Sequence, residues 1–160
     1  MKFSKNEMSE KFISKSLSRY LVVQAIFNES FGFDKNRIRD DFVSEKDIKF
    51  FIDMQTGINK EKYDKKFFLK IYDNVFEKEE LINKLINKFL RNDWSINRLP
   101  KILHAILKAA ISEMISFPKT SIGIIISEYL IIAESFSIEN ENKFINAILD
   151  NVNKNLESNG

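Results

Sequence analysis

Three apolar stretches follow one another in the last third of the chain: RLPKILHAILKAAISEMISFP at 98–118, SIGIIISEYLIIAESF at 121–136 and ENENKFINAILD at 139–150. In each stretch the apolar residues recur three or four positions apart, which gives an α-helix one apolar face. Pro118 closes the first stretch, and the polar residues 137–142 open the last. Three consecutive segments of this kind predict a helical packing unit.

The same periodicity continues through the rest of the 160 residues, which contain only four glycines and two prolines and no strand-like alternation. We predict an all-α protein of about seven helices. The first four cover about 9 or 14 to 31, 36–55, 65–76 and 79–90, and the apolar stripes of the last three span 99–115, 124–136 and 144–152. Gly32 is expected to end the first helix and residues 151–160 to fray. We expect one domain, 1–160, with packed helical subdomains at 1–92 and 93–157 and Trp94 in the groove between them.

Composition excludes several classes of protein. The chain has no cysteine, which rules out a disulfide framework and thiolate metal sites, and its single histidine, His104, is expected to be structural. Because no phosphate loop or nucleophile motif is present, we predict a protein that is not an enzyme and carries no cofactor or metal. Without a signal peptide or a membrane-length apolar run, we expect a soluble, cytoplasmic protein.

Positive charge is concentrated at the N-terminus. Residues 1–20 hold five lysines and arginines against two glutamates, a net charge of +3, whereas the other 140 residues sum to −1. Lys11, Lys15 and Arg19 recur four apart, so they share one helix face, which we expect to point into solvent. Such a face is either simply solvated or a phosphate-binding surface, and composition leaves both open.

Lys143 and Phe144 raise a similar choice. A cation beside an exposed ring suits a nucleotide, whereas the helical wheel alone places Phe144 in the core.

Several segments resemble the NusB family of bacterial transcription antitermination factors. SEYLIIAESF at 127–136 followed by KFINAILD at 143–150 is similar to the family signature, and the second segment is the most specific. WSINRLPKILHAILKAAISEM at 94–114 and SLSRYLVVQAIF at 16–27 resemble two further family helices, whereas residues 32–75 contribute little. The resemblance implies an all-helical protein with two subdomains, which agrees with the pattern of seven helices.

The resemblance also implies function. It implies binding to the single-stranded boxA element of ribosomal RNA transcripts, together with a NusE-like small-subunit ribosomal protein, in an antitermination complex on RNA polymerase. The expected RNA-binding residues are Lys11, Lys15, Arg19 and Lys143 for phosphate, Phe144 and Phe27 for bases, and Asn140, Asn142 and Asn146 for base edges. The expected partner-binding residues are Leu103, His104 and Leu107.

This chain departs from the family pattern at several sites. The family's arginine cluster is thinned to Lys11, Lys15 and Arg19, and Phe27 replaces a tyrosine. Leu103 and His104 stand where many members have an acidic residue and an arginine, and Ser121 replaces a proline that usually precedes the sixth helix. The alternative function is a helical scaffold that binds only protein.

Overall fold

A computed structural model describes residues 5–44 and 63–159, with side chains from residue 10 onward. These ranges contain seven α-helices and no strand: α1 (Lys5–Glu29), α2 (Lys35–Val43), α3 (Lys65–Glu77), α4 (Glu79–Phe89), α5 (Lys101–Ser116), α6 (Ile122–Ser135) and α7 (Asn142–Asn159). Short 3-10 helices, Ile96–Arg98 and Glu139–Glu141, precede α5 and α7. The predicted all-α fold is confirmed.

Contacts divide the chain into two compact units, Met1–Lys70 and Ile71–Gly160. The predicted subdomains, 1–92 and 93–157, stay a prediction. Helix α4 groups with the C-terminal unit because it contacts α5 and α7. Periodicity describes the apolar face of each helix but not which helix covers that face, so it did not indicate this grouping.

In the N-terminal unit, α1 contacts α2, and Gly32 follows α1 with a φ of +95°, a left-handed conformation that glycine adopts without strain. The Gly32 N–H donates to the Glu29 carbonyl at 2.9 Å, so the predicted glycine terminator is confirmed. The helix begins at Lys5, before the predicted start. Among the described residues of this unit, the buried apolar ones are Leu17, Leu21, Val22, Val23, Ala25, Ile26, Ile38, Phe42, Phe67 and Phe68.

Helix α2 is shorter than predicted. It ends at Val43, and Ser44 has extended dihedral angles, so the prediction of one unbroken helix over 36–55 is wrong at Ser44. The Tyr63 hydroxyl donates to the Phe42 carbonyl at 3.2 Å, so a side chain satisfies one of the acceptors that the end of the helix leaves open. The predicted continuation over 45–55 lies outside the described residues.

In the C-terminal unit, α5 contacts α4, α6 and α7, and nearly every side chain from Leu103 to Met114 is buried. The helix ends at Ser116, two residues before Pro118, as the sequence predicted. Ser121 begins α6 without a proline, because its hydroxyl oxygen accepts a hydrogen bond from the Ile124 N–H at 3.3 Å and caps the helix.

A tight turn leads from α6 to α7. Ser137 has a φ of +60°, and the Ile138 N–H donates to the Ala133 carbonyl at 3.0 Å, a hydrogen bond characteristic of a left-handed helix terminus. The 3-10 helix Glu139–Glu141 then continues directly into α7 at Asn142. The predicted fraying of the C-terminus is wrong for residues 151–159, because Val152 is fully buried and the helix continues to Asn159.

Candidate nucleic-acid interface

The first turn of α7 presents a cation, a ring and amides. Lys143 is exposed, and the Phe144 side chain beside it is half-buried. Asn140 in the preceding 3-10 helix and Asn146 in α7 are also exposed. The structure therefore brings together, in one short segment, an exposed cation, a partly accessible ring and exposed amides.

Phe144 is packed against Trp94, not enclosed in the core. The two ring centroids are 5.7 Å apart and the planes are inclined by 31°. The Trp94 side chain is 40% exposed, so this aromatic pair reaches the surface. The sequence predicted Trp94 to be a packing residue and did not indicate its contact with Phe144. The available signal was an aromatic residue within the polar segment RNDWSINR at 91–98.

Asn142 contains a buried acceptor with no hydrogen bond. Its Oδ1 atom has no partner, whereas other buried polar groups in this unit are paired. For comparison, the Tyr129 hydroxyl donates to Glu113 Oε1 at 2.9 Å, and the Ser112 hydroxyl donates to the Ile71 carbonyl at 2.7 Å. A buried acceptor without a donor is costly, so the Asn142 amide is poorly satisfied in the free protein.

The charge around α7 is mixed. Glu139 is exposed and Glu141 is half-buried, only four and two positions before Lys143. A strand bound here gains little from the net local charge, because these carboxylates offset the lysine. Rings and amides therefore have to contribute a substantial part of the binding free energy.

The cations of α1 are placed differently from one another. Lys11 is exposed, Lys15 is half-buried with Nζ 5.3 Å from the Phe67 ring centroid, and Arg19 is only 3% exposed. The Arg19 guanidinium carbon lies 5.1 Å from the same centroid, a cation–π arrangement. The prediction that all three cations point into solvent is wrong for Arg19, since Phe67 from α3 packs against that face.

Phe27, the other predicted base contact, is half-buried near the end of α1. Its ring meets Phe31 edge-to-face, with centroids 4.9 Å apart and planes inclined by 65°. Phe31 itself is 58% exposed, so part of this aromatic pair is accessible.

Of the three predicted partner-binding residues, two are in the core. Leu103 is 1% exposed and Leu107 is fully buried, so neither offers contact surface in this conformation. His104 is half-buried, and its Nε2 lies 2.9 Å from Asn83 Oδ1. Burial, together with the nearby positive charges of Lys108 and Lys101, lowers the pKa of His104 from 6.5 to about 4. His104 is therefore neutral at pH 7 and donates Nε2–H to Asn83.

None of the described helices is both long and apolar enough to cross a bilayer. In the same described ranges, no three His, Asp or Glu side chains converge in an arrangement able to hold a metal ion.

Comparison with known proteins gives matches over most of the chain. A family model described as the NusB family matches residues 16–154. The transcription antitermination protein NusB of Rickettsia bellii is 30% identical over 147 residues, which cover 90% of this chain and 92% of that protein. NusB of Mesorhizobium japonicum is 35% identical over 97 residues, or 61% of this chain and 63% of that relative, less than two thirds of its length.

Among solved structures, T. maritima NusB superposes with a TM-score of 0.69 at 28% identity, covering 88% of this chain and 90% of that one. The residues that the family model matches include all the segments, 16–27, 94–114, 127–136 and 143–150, that carried the sequence resemblance. The chain belongs to the NusB family, whose members are non-enzymatic transcription antitermination factors.

Proposed function

We propose that this protein is a non-enzymatic transcription antitermination factor that binds boxA-like single-stranded RNA in ribosomal RNA transcripts. It acts as a heterodimer with a NusE-like ribosomal protein, within an antitermination complex on RNA polymerase. The proposal places it in the cytoplasm, where bacterial transcripts are made. Family membership and the names of the relatives, which are transcription antitermination proteins, support the general role.

One observation carries the RNA-binding part of the proposal: exposed Lys143 adjoins the half-buried ring of Phe144 at the start of α7. Single-stranded RNA offers two features that duplexes hide or restrict, namely unstacked bases and a flexible phosphate backbone. In the proposed complex Lys143 contacts phosphate, and the accessible part of Phe144 stacks on a base.

The neighbouring asparagines supply base recognition in this proposal. Asn140 and Asn146 are exposed, and an amide can both donate to and accept from base edges. Asn142 contributes Oδ1, which is buried without a donor in the free protein; in the complex the side chain turns outward and Oδ1 accepts from a base amino group. Phosphate contacts fix the position of the strand, whereas these amide contacts select its sequence.

In the N-terminal unit, the proposed phosphate contacts are Lys11 and Lys15, and Phe27 lines the base site. The burial of Arg19 against Phe67 supports a less direct role for the arginine, which is to hold the helix face that carries Lys15. If Lys15 contacts phosphate, Lys15→Glu should weaken RNA binding and lower its salt slope.

For the NusE-like partner, the proposed direct contact is His104, because it alone of the three predicted residues retains accessible surface. Leu103 and Leu107 act from beneath by fixing α5. Binding of the partner should therefore be sensitive to His104→Glu.

The test is titration of a labelled boxA-like single strand, with and without the NusE-like protein, at several salt concentrations. Lys143→Glu should weaken binding at least about tenfold, the value of one charge-assisted hydrogen bond. It should also lower the salt slope by about 0.7 for each phosphate that the variant no longer neutralises. Lys84→Glu, a charge reversal at an exposed position on α4, is the matched control and should bind like the parent.

Phe144→Ala should weaken binding without changing the salt slope, because stacking releases no counterions. If the parent does not bind RNA at low salt but still binds the NusE-like protein, the chain is a protein-binding scaffold. If Lys143→Glu and Phe144→Ala both bind RNA like the parent, the RNA site is elsewhere.

A further inference from the structure

Trp94 is the aromatic residue that the proposed function leaves without a role. It is the only tryptophan in the chain and lies between α4 and α5, in the segment 91–98. One exposed aromatic side chain needs no explanation by itself. Trp94 is distinguished by its contact with Phe144, the residue proposed to stack on an RNA base, at a centroid distance of 5.7 Å.

The backbone holds Trp94 in place before any ligand binds. Its N–H donates to the Arg91 carbonyl at 2.9 Å, which closes a turn. The 3-10 helix Ile96–Arg98 begins two residues later, contacts α4 and is closed by the Arg98 N–H, which donates to the Ser95 carbonyl at 3.0 Å. The turn and the 3-10 helix hold the backbone of Trp94, and Phe144 contacts its ring. Trp94 therefore loses little conformational entropy when a ligand binds.

The chemistry around Trp94 favours a nucleotide over a protein. Apart from Trp94, every exposed side chain in the segment 91–98 is polar or charged: Arg91, Asn92, Asp93, Asn97 and Arg98. The core of a protein–protein contact is depleted in charge and closed off from water. Aromatic rings set among cations and amides are instead typical of single-strand binding, where bases stack and the backbone passes over positive charge.

We propose that Trp94 is a second base-stacking residue, so that the surface holds one nucleobase on Trp94 next to the nucleobase held by Phe144. Lys143, which adjoins Phe144 in the chain, and Arg91 and Arg98 in the Trp94 segment are exposed cations available to the phosphates. This inference rests on the proposed function, since it extends the same RNA surface by one nucleotide. It adds a contact that neither the motif at 143–150 nor the periodicity of α5 indicated.

The experiment uses the full chain and a labelled boxA-like single strand, with two independent readouts. Anisotropy of the label reports binding, and the intrinsic fluorescence of Trp94, the only tryptophan, reports stacking at that position. Trp94→Ala should weaken binding about 5- to 150-fold, the range for one stacked base, with an unchanged salt slope. Trp94→Phe keeps a ring and should recover most of the affinity. Phe33→Ala, which removes a 65% exposed ring in the other unit, is the matched control and should bind like the parent.

A series of RNAs, each with one abasic nucleotide, then identifies the stacked base. At one position, loss of the base should abolish the fluorescence change and weaken binding to the parent, but should cost Trp94→Ala little further affinity. Such non-additivity is the signature of a direct contact. Circular dichroism confirms that each variant is folded.

The outcomes separate this inference from the proposed function. RNA binding by anisotropy, with unchanged tryptophan fluorescence and with Trp94→Ala binding like the parent, overturns the role of Trp94 and leaves the proposed function intact. A Trp94→Ala variant that binds RNA normally but loses the NusE-like protein assigns the ring to a protein interface instead. If the parent binds no RNA, both proposals are wrong.

Discussion

Each unit of the protein contains cations beside an aromatic ring, but the two clusters differ in what covers the ring. In the N-terminal unit, Lys15 and Arg19 lie over Phe67, which is only 5% exposed. In the C-terminal unit, Lys143 points into solvent and the accessible ring of Phe144 rests on exposed Trp94.

The covered ring contributes to packing, whereas the accessible ring remains available to a ligand. A cation over a buried ring saturates the π-face, so the ring has nothing left to offer a ligand. A ring with one accessible face and an adjacent solvated cation retains both groups for a nucleotide. We therefore expect substitutions of Phe67 and Arg19 in the first cluster to reduce stability, and substitutions in the second cluster to reduce RNA affinity.

The largest expected effect on stability is at Phe67. Phe67→Ala removes a buried ring and the surface on which two cations rest, and should lower the free energy of unfolding by about 3–5 kcal/mol. Phe144→Ala should cost less, about 1–2 kcal/mol, because part of that ring is already solvated. Urea denaturation of both variants, with Phe33→Ala as an exposed-ring control, measures the difference. Equal losses for Phe67→Ala and Phe144→Ala would remove the distinction between the clusters.

Arg19 is the next most sensitive position. Arg19→Glu places a carboxylate in a buried site facing a π-electron surface and should destabilise the protein by about 2–4 kcal/mol. Lys11→Glu, the same kind of charge reversal two turns earlier on exposed surface, should change stability by less than about 0.5 kcal/mol. Thermal unfolding of the two variants tests this. An Arg19→Glu protein that is fully stable but deficient in RNA binding would instead make Arg19 a direct phosphate contact.

The two clusters also show how far the sequence predicts the structure. Periodicity identified the seven helices, the Gly32 terminator and the Pro118 boundary, because each depends on residues close together in the chain. The same reasoning placed Arg19 in solvent and did not indicate the contact of Trp94 with Phe144. Both positions depend on tertiary neighbours, Phe67 and Phe144, which lie 48 and 50 residues away in the chain.

Helix ends gave further differences between the prediction and the structure. The C-terminal tail was expected to fray because it is polar, yet Val152 is buried and the helix continues to Asn159. In the sequence, Ser121 replaces the proline that usually precedes the sixth helix; in the structure, its hydroxyl oxygen caps α6. At the proposed RNA site, Lys143, Phe144 and Asn142 were predicted from the sequence and the resemblance. The contact of Trp94 with Phe144 and the unpaired Oδ1 of Asn142 became evident only from side-chain positions.

Neither cluster contains a histidine. We therefore expect mild acid to lower the stability of the protein through His104, which lies outside both clusters. Its folded pKa of about 4 is below its ordinary value of 6.5, so the unfolded chain binds the proton more readily. The neutral imidazole of His104 contributes its full stabilisation above pH 6.5, and this stabilisation is lost as the pH falls towards 4. After allowance for partial exposure, the loss is on the order of 1 kcal/mol.

His104→Gln keeps a donor for Asn83 but cannot titrate, so it should flatten this part of the stability profile. Denaturation of parent and variant between pH 4 and pH 7 gives the difference directly, with the carboxylate contributions common to both. RNA binding without the NusE-like protein should be unchanged at pH 7. An identical pH profile for His104→Gln would show that the imidazole titrates as freely in the folded protein as in the unfolded chain.

The smallest expected effect on stability is at Asn142, and its direction is opposite to the loss expected for Phe67→Ala. Because Oδ1 of Asn142 is buried without a donor, removing the amide relieves a desolvation cost, and Asn142→Ala should leave stability unchanged or raise it by up to about 1 kcal/mol. RNA affinity should nevertheless fall about two- to tenfold, the value of one hydrogen bond. Asn151→Ala, at an exposed position on α7, is the control and should change neither quantity. A stability loss in Asn142→Ala without a change in RNA affinity would make the amide structural, and the C-terminal cluster would then depend on rings and charge alone.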